Sequence, residues 1–446
     1  MGYIGVTPTD CNNYRLELTN HIDHELDAES FTSRSKNGVK GVFTRDRKLT
    51  IRRLIFLIMS FKTSIQRDLD RFYKVLSQSE FNIREVTKSA LTQARSKLNP
   101  WAFRRLNEVA VNSFYQEASY YVWYGMRLLA VDGTRLMLPN HKTVREEFGV
   151  HHFGPKADAG RSIAIGSMLY DVLNHLTIDA DLAPYASDER DLLLKHLTKV
   201  NKGDMLLLDR GYPCFWLLFL LKAKGIEFCV RLKQDWWLAV KDFVNGTNEE
   251  VIVEFNLPKK DRDKLGEFPE THHSPIKCRL IKVALDSGDT EVLCTSLLDT
   301  GTYDREEFKR LYHYRWNEEE AYKLLKSRAD LEAFSGKTAT AVKQDFHAKV
   351  FLLTMCAAYA HPIEERVVAE YKADQNRKHS QKINRTNALA TFMDMAIPMF
   401  LKKNVHAALA AFDSIVYRTR EIIRPGRKVP RDKKTKKLRH MNYKPL

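Results

Sequence analysis

From residue 127 onward, short apolar runs alternate with amphipathic stretches, and this alternation restricts the fold more than any other feature of the chain. MRLLAVDGT is an apolar run closed by Asp-Gly. GRSIAIGSMLYDVLN and HLTIDADLA read as two further strands joined by a tight turn at Asn174-His175. SDERDLLLKHL has the period of a surface helix, with Ser187 placed to cap it. DMLLLDRGYP is a buried strand ending in a turn, FWLLFLLKAKG is a helix stopped by Gly225, and IEFCVRLK is a fifth strand. The order is strand, strand, strand, helix, strand, helix, strand, which specifies an α/β sheet.

The flanks read differently. Residues 1–45 are polar and unpatterned and are expected to form a leader or arm. Residues 46–122 are expected to be helical. KLTIRRLIFLIMSF carries an apolar stripe, Thr87 can cap a helix, and Leu98-Asn99-Pro100 ends it. Lys88, Arg95, Lys97, Arg104 and Arg105 around that break fit either a DNA-binding helical unit or a plain bundle with basic solvated faces. Residues 123–233 hold the first part of the α/β core. In 234–302, VIVEF, CRLIKVAL and EVLCTSLL are short β-type runs between polar loops, read as an inserted β-rich subdomain. Residues 303–350 complete the core with one helix from about Asp304 to Leu331, and 351–423 are helical. The segment 424–446 is a basic tail, expected to be disordered without a partner.

Composition narrows the partners. There are 72 Lys and Arg against 56 Asp and Glu, a net charge of +16, and an excess of this size in a chain with a core faces a polyanion. Part of the excess is local, because ten Lys and Arg lie between Arg424 and Lys444. Six scattered cysteines without a CxxC pair, and histidines without HExxH, argue against a structural zinc site or a disulfide framework. The first residues show no basic start followed by an apolar run, and the apolar runs are too short to span a bilayer. A reducing aqueous compartment that contains DNA is expected.

Two acids stand at strand ends: Asp132 in LLAVDGTRL and Asp209 in LLLDRGYP. In an α/β sheet, residues just past the carboxyl ends of strands line the ligand cleft, although Asp-Gly and Asp-Arg-Gly are also common turn chemistry. In LYHYRWNEEEAYKLLKS, Tyr312, Arg315, Glu319 and Lys326 fall within an arc of roughly 60° on one helix. Leu311, Tyr314, Ala321 and Leu325 occupy the adjacent face and can anchor the helix to the sheet. Of Glu318, Glu319 and Glu320, the arc favours Glu319 as the inward one; the alternative is an exposed helix with an ordinary Arg315–Glu319 pair. Three carboxylates without His or Cys suit Mg2+ or Mn2+. Two such ions ~3.5–4 Å apart can serve the two sides of a phosphate. Arg315, Lys326 and Arg210 are the cations at hand for a DNA backbone. Asp179 and Asp181 in TIDADLAP form a rival pair, but no Gly-rich loop or GK[ST] accompanies them, and a strand-closing turn is preferred.

VDGT, LLLDRGYP and the Tyr312, Arg315, Glu319, Lys326 series, with LYDVLNHLTIDADL, DERDLLLKHL and IEFCVRLK in the same order, resemble the DDE transposases of the insertion sequence four group. The resemblance covers about residues 125–350. At 318 the chain has Glu where that pattern has an apolar residue. The resemblance implies an RNase H-like catalytic core with a β-rich insertion between N- and C-terminal helical regions. It implies Asp132, Asp209 and Glu319 as catalytic, metal-binding residues for two Mg2+ or Mn2+ ions. It implies Tyr312, Arg315 and Lys326 as contacts to the DNA end, with Arg210 and Trp316 beside them. Some members form a hairpin on the excised end and hold a flipped base on tryptophan; Trp316, Trp236 and Trp237 are candidates. The expected function is cut-and-paste transposition. A homodimer would bind terminal inverted repeats in a synaptic complex, cleave double-stranded DNA and join it to a target, in the bacterial cytoplasm at the nucleoid and away from any membrane. A metal-dependent RNase H-like nuclease that cuts without joining, and a non-catalytic transposase-derived DNA-binding protein, are the alternatives.

Overall fold

The computed structural model describes residues 2–4, 13–38, 41–43, 48–62, 64–152, 160–284, 288–374, 376 and 378–424. Residues 1, 5–12, 39–40 and 44–45 of the expected arm and the basic tail beyond Arg424 lie outside the described residues. The N-terminal region consists of β1 (Gly2–Ile4), α1 (Asn13–Asp27), α2 (Glu29–Arg34), α3 (Ile51–Met59), α4 (Ile65–Leu76), α5 (Lys88–Arg95), α6 (Trp101–Glu117) and β2 (Tyr120–Val122). The arm expected over 1–45 is therefore corrected for its second half. Leu18 and Ile22 of α1 are fully buried, and α1 packs on α6. Its apolar stripe is interrupted by Arg15 and Thr19, which is why the segment looks unpatterned. Both are buried because both find distant partners: Arg15 donates to Asp413 at 2.9 Å, and the Thr19 hydroxyl meets that of Tyr359 at 2.6 Å. Thr87 caps α5 as expected, its Oγ1 accepting from the Ala90 N–H.

The centre is one eight-stranded sheet. Along the chain come β3 (Leu128–Met137), α7 (Lys142–Phe148), β4 (Ile163–Asp171), β5 (Leu176–Pro184), α8 (Glu189–His196), β6 (Met205–Leu208), α9 (Phe215–Ala223), β7 (Glu227–Leu232), α10 (Leu238–Asn245), β8 (Glu250–Phe255), β9 (Ile276–Ala284) and β10 (Thr290–Thr295). The spatial order is β5-β4-β3-β6-β7-β10-β9-β8. β3, β4 and β5 run antiparallel, whereas β6 and β7 lie parallel to β3. Fully apolar β6 is buried along its whole length, as expected of a strand covered on both faces. The inserted β-rich run expected at 234–302 holds β8–β10, and because β10 pairs antiparallel with β7 these strands extend the same sheet. Strand neighbours across 60 residues of intervening chain are invisible to local periodicity. The α8 cap is Asp188, which accepts from the Arg190 N–H, one residue after the expected Ser187.

The chain closes with α11 (Arg305–His313), α12 (Trp316–Ser327), α13 (Ala339–Ala373), β11 (Gln381–Lys382), α14 (Arg385–Leu401), α15 (Val405–Arg418) and β12 (Glu421–Ile422). The buried helix α13 packs on α3, α6 and β5 and ties the N-terminal helices to the sheet. The single helix expected over 304–331 is instead two. Arg315 and Glu318 donate their N–H groups to the carbonyls three residues back, at Tyr312 and Arg315. That tighter winding separates α11 from α12. No helix among the described residues is long and apolar enough to cross a membrane.

Candidate active site

Strand register brings the first two acids together. In the parallel pair β3–β6, Ala130 stands beside Leu207, and Asp132 and Asp209 each lie two residues further on. Neighbouring strands are ~4.8 Å apart, so the two acids stand side by side where β6 ends; β3 itself runs on to Met137, so Asp132, expected at a strand end, lies within its strand.

Helix α12 covers this edge and holds β3 at several points around Asp132. Tyr322 donates its hydroxyl to the Asp132 carbonyl at 2.7 Å and to that of Gly166 at 3.2 Å. Glu318 accepts the Asp132 N–H at 2.9 Å through Oε1. Lys326 donates Nζ to the Arg135 carbonyl at 2.7 Å. From α11, Tyr312 donates its hydroxyl to the Leu208 carbonyl at 3.3 Å, next to Asp209.

The run of three glutamates is sorted by packing. Glu318 is fully buried, Glu319 is partly buried, and Glu320 is exposed and pairs with Lys323. The inward residue expected from a regular helix was Glu319, so the deepest position is corrected to Glu318. The tightened turn before α12 advances its residues by about 20° more per step than an α-helix, which changes the face presented to the sheet. Glu319 remains at the site: Arg315 donates to it at 3.1 Å and lies 3.8 Å from Asp132 Oδ2. The buried guanidinium thus bridges the first acid and the third.

Electrostatically the site is crowded with negative charge. Asp132 is pushed up to about 6, first by burial; the Gly133 N–H and Arg315 oppose this, while Asp209 and Glu189 add to it. Burial likewise holds Glu318 well above the usual carboxylate range, with Asp132 contributing. Glu189, raised by burial and then by Asp209, comes from the first turn of α8. Among the described residues no three His, Cys, Asp or Glu side chains are drawn together closely enough to form a ready-made metal cage. The Arg315 guanidinium occupies that charge-balancing position between Asp132 and Glu319.

The expected DNA contacts divide into two sets. Tyr312 and Arg315 are each 5% exposed and turned to protein partners, so neither presents a free polar face to a large ligand in this conformation. Trp316 is exposed, with the Arg315 guanidinium 5.2 Å from its ring centre. Arg210 is exposed and lines a recess of about 440 Å3 with Arg231 and Lys233. Trp236, also exposed, stacks on Trp237, which stacks on Phe215.

Other basic residues are assigned elsewhere. Arg95 is buried and donates to Gln344 at 2.9 Å, Ser335 at 2.8 Å and Asp345 at 2.9 Å. Arg105 pairs with Glu25 at 2.9 Å, and Arg104 approaches Asp179 at 3.5 Å. Arg95 and Arg105 therefore hold elements together, whereas Lys88 and Arg104 of the basic residues around the Pro100 break are exposed. Asp179 accepts from His196 at 2.8 Å, and His196 meets the Ser167 hydroxyl at 3.1 Å. Ser167 and His196 are buried, which makes this chain of bonds a structural lock between β4, β5 and α8. Asp181 pairs with Lys195 at 3.1 Å. Three residues near the acids escaped the sequence reading, Glu189, Tyr212 and Tyr322, while Glu318 stood there only as the less favoured alternative to Glu319. Only Glu189 left a signal, as an acid in the first turn of the helix that follows the third strand.

A pair of acids level on adjacent strands of a mixed sheet, covered by a helix bearing a third, defines a class of protein that is matched independently. The family described as "Transposase DDE domain" matches residues 123–355. The chain is 24% identical over 323 residues to "Transposase InsG for insertion sequence element IS4" of Escherichia coli (strain K12), covering 70% of this chain and 69% of that protein. It is 25% identical over 162 residues to InsZ of the same strain, covering 35% of this chain and 53% of InsZ, so it spans about half the length of that relative. A solved structure, "piggyBac transposase synaptic complex with hairpin DNA", has a TM-score of 0.46 at 10% identity, covering 96% of this chain and 87% of that one. The chain belongs to the family of DDE-domain transposases, and within it to the IS4 group.

Proposed function

We propose that this protein is a DNA transposase whose Asp132, Asp209 and Glu319 hold two divalent cations and cut and join DNA ends. One observation carries this reading: Asp132 and Asp209 occupy the same level of adjacent parallel strands, and Arg315 links Asp132 to Glu319. Three antiparallel strands followed by two parallel ones, in the order β5-β4-β3-β6-β7, support an RNase H-like core with β8–β10 added at its far edge.

The residues fit the group they would hold. The donors are all carboxylate oxygens, the chemistry preferred by Mg2+ and Mn2+. Burial first, and then the charges of Asp209 and Glu189, raise Asp132 to about 6, and a bound cation would favour its charged form. When bound, the ions supply Lewis-acid activation and charge stabilisation at the phosphate. The protein's own part is positioning. Tyr322 and Glu318 fix the backbone of Asp132, and Tyr312 fixes the strand end before Asp209. Arg315, freed from charge balance with the acids, would turn to the DNA phosphate. Lys326, Arg210 and Trp316 lie along the same edge for the DNA end, and the exposed basic surface serves inverted repeats and target DNA in a dimeric complex.

The test is a strand-transfer assay with labelled terminal repeats. The wild-type chain with Mg2+ should yield joined products, and Asp132→Asn and Asp209→Asn should yield none while still binding the ends. Cleavage without joining would favour a nuclease. Unchanged products from Asp132→Asn would overturn the mechanism.

A further inference from the structure

Helix α8 reaches the same edge of the sheet from the opposite side to α12, packing against β3 and β4. Its first residue, Glu189, plays no part in the signature series. Two glycines measure where its carboxylate lies. A Cβ on Gly133, the residue after Asp132, would come within 2.7 Å of Glu189 Oε1. A Cβ on Gly211 would stand 3.0 Å from Asp209 Oδ1 and 4.0 Å from Glu189 Oε2. The carboxylate therefore lies against the residue one after Asp132 and the residue two after Asp209, both without a side chain, close enough to act on Asp132 and to be acted on by Asp209. It forms no hydrogen bond or ion pair with any described residue.

An independent observation marks the same place. Tyr212, three residues after Asp209, is buried, yet its hydroxyl has no hydrogen-bond partner among the described residues. The charges that act most on that phenol are Glu189, Asp132, Glu318 and Asp209. A buried O–H among four acids, bonded to none of them, calls for a polar occupant of the site between them.

We propose that Glu189 is a fourth carboxylate of the metal centre, entering from α8 beside Asp132 and Asp209. This rests on the metal-binding reading given above for Asp132 and Asp209. Glu189 supplies oxygen donors on the side of the site opposite Glu319, where Arg315 does not reach. The simpler account is a first-turn acid that favours the α8 N-terminus. That account gives Glu189 no stake in cation binding.

Mn2+ binding to the full chain, without DNA, separates the two by the loss of the free-ion electron paramagnetic signal. Glu189→Gln should weaken Mn2+ binding tenfold or more and leave the metal-free melting temperature equal or higher, because a mutually repelling charge is gone. Asp132→Asn should weaken binding as well. Wild-type affinity in Glu189→Gln beside lost affinity in Asp132→Asn would overturn this inference and leave the Asp132–Asp209 reading intact. Wild-type affinity in both would overturn that reading too. A lower melting temperature with unchanged affinity would establish the helix-end role instead. Gly133→Ala provides a second measurement, since its Cβ must displace the Glu189 carboxylate. It should weaken Mn2+ binding in the wild-type background and have little effect in Glu189→Ala. Equal weakening in both backgrounds would count against Glu189.

Discussion

Asp132 holds a charge that the metal-free fold resists. Its carboxyl titrates near 6 in the folded protein against an ordinary value of 3.8, so between these values the native state binds more protons than the unfolded chain. Stability must then fall as pH rises from about 4 through 6, by roughly 2–3 kcal/mol for this group. Urea titrations of metal-free protein at pH 4.5 and 7 should show that loss. Asp132→Asn should flatten it, and a slope unchanged in the variant would assign the effect elsewhere. The neighbouring glutamates make a second residue-scale contrast. Glu318 is a buried hydrogen-bond acceptor for the Asp132 N–H, and burial favours its protonated form. Glu318→Gln keeps the acceptor and should cleave DNA ends much as wild type does. Glu319→Gln should bind ends without cleaving them. The reverse pattern in two folded variants would transfer the catalytic role to Glu318.

At the scale of elements, α5 illustrates how a basic helix near a turn can serve packing alone. Arg95 points from α5 towards α13, where it satisfies Asp345 and Gln344, and it also bonds Ser335 just before that helix. Arg95→Ala leaves Asp345 buried without its cation and should cost about 3–5 kcal/mol, measured by urea unfolding. A variant of wild-type stability with weaker DNA binding would restore the surface reading. The cap at Thr87, the stop at Gly225 (φ +67°) and the strand end just before Asp209 were legible in the sequence, whereas Asp132, expected at a strand end, lies inside β3, which pairs with β4 as far as Met137. Each of the legible features depends on residues within a few positions of one another. The split between α11 and α12 was not legible, because the tight winding at Arg315 is held by Glu318 and Tyr322 docking on β3.

For the whole molecule, charge and connectivity set the expectations. With a net charge of +16, the chain should bind DNA ends with an affinity that falls steeply with salt. Arg210→Ala should reduce the slope of log affinity against log salt by about one, if its exposed guanidinium meets a phosphate. An unchanged slope would remove Arg210 from the interface. The helical regions at either end of the chain are joined: Arg15 of α1 reaches Asp413 of α15, across 398 residues of sequence. α13 runs beneath both and against β5, so the flanking helices and the sheet share one core.

The sequence alone determined the strands, the helices between them and the end of β6 before Asp209, because apolar periodicity and turn chemistry act over a few residues. It also determined the family, because the signature spacing is itself a local pattern. Only the tertiary structure decided that 234–302 extends the central sheet, that Glu318 lies deepest of three adjacent glutamates, and that Arg95 is buried. It alone brought Glu189 next to Gly133 and Gly211, beside the two acids. Strand order and the rotation of a helix about its axis are fixed by contacts between distant residues, as between Asp132 and Glu318, 186 positions apart.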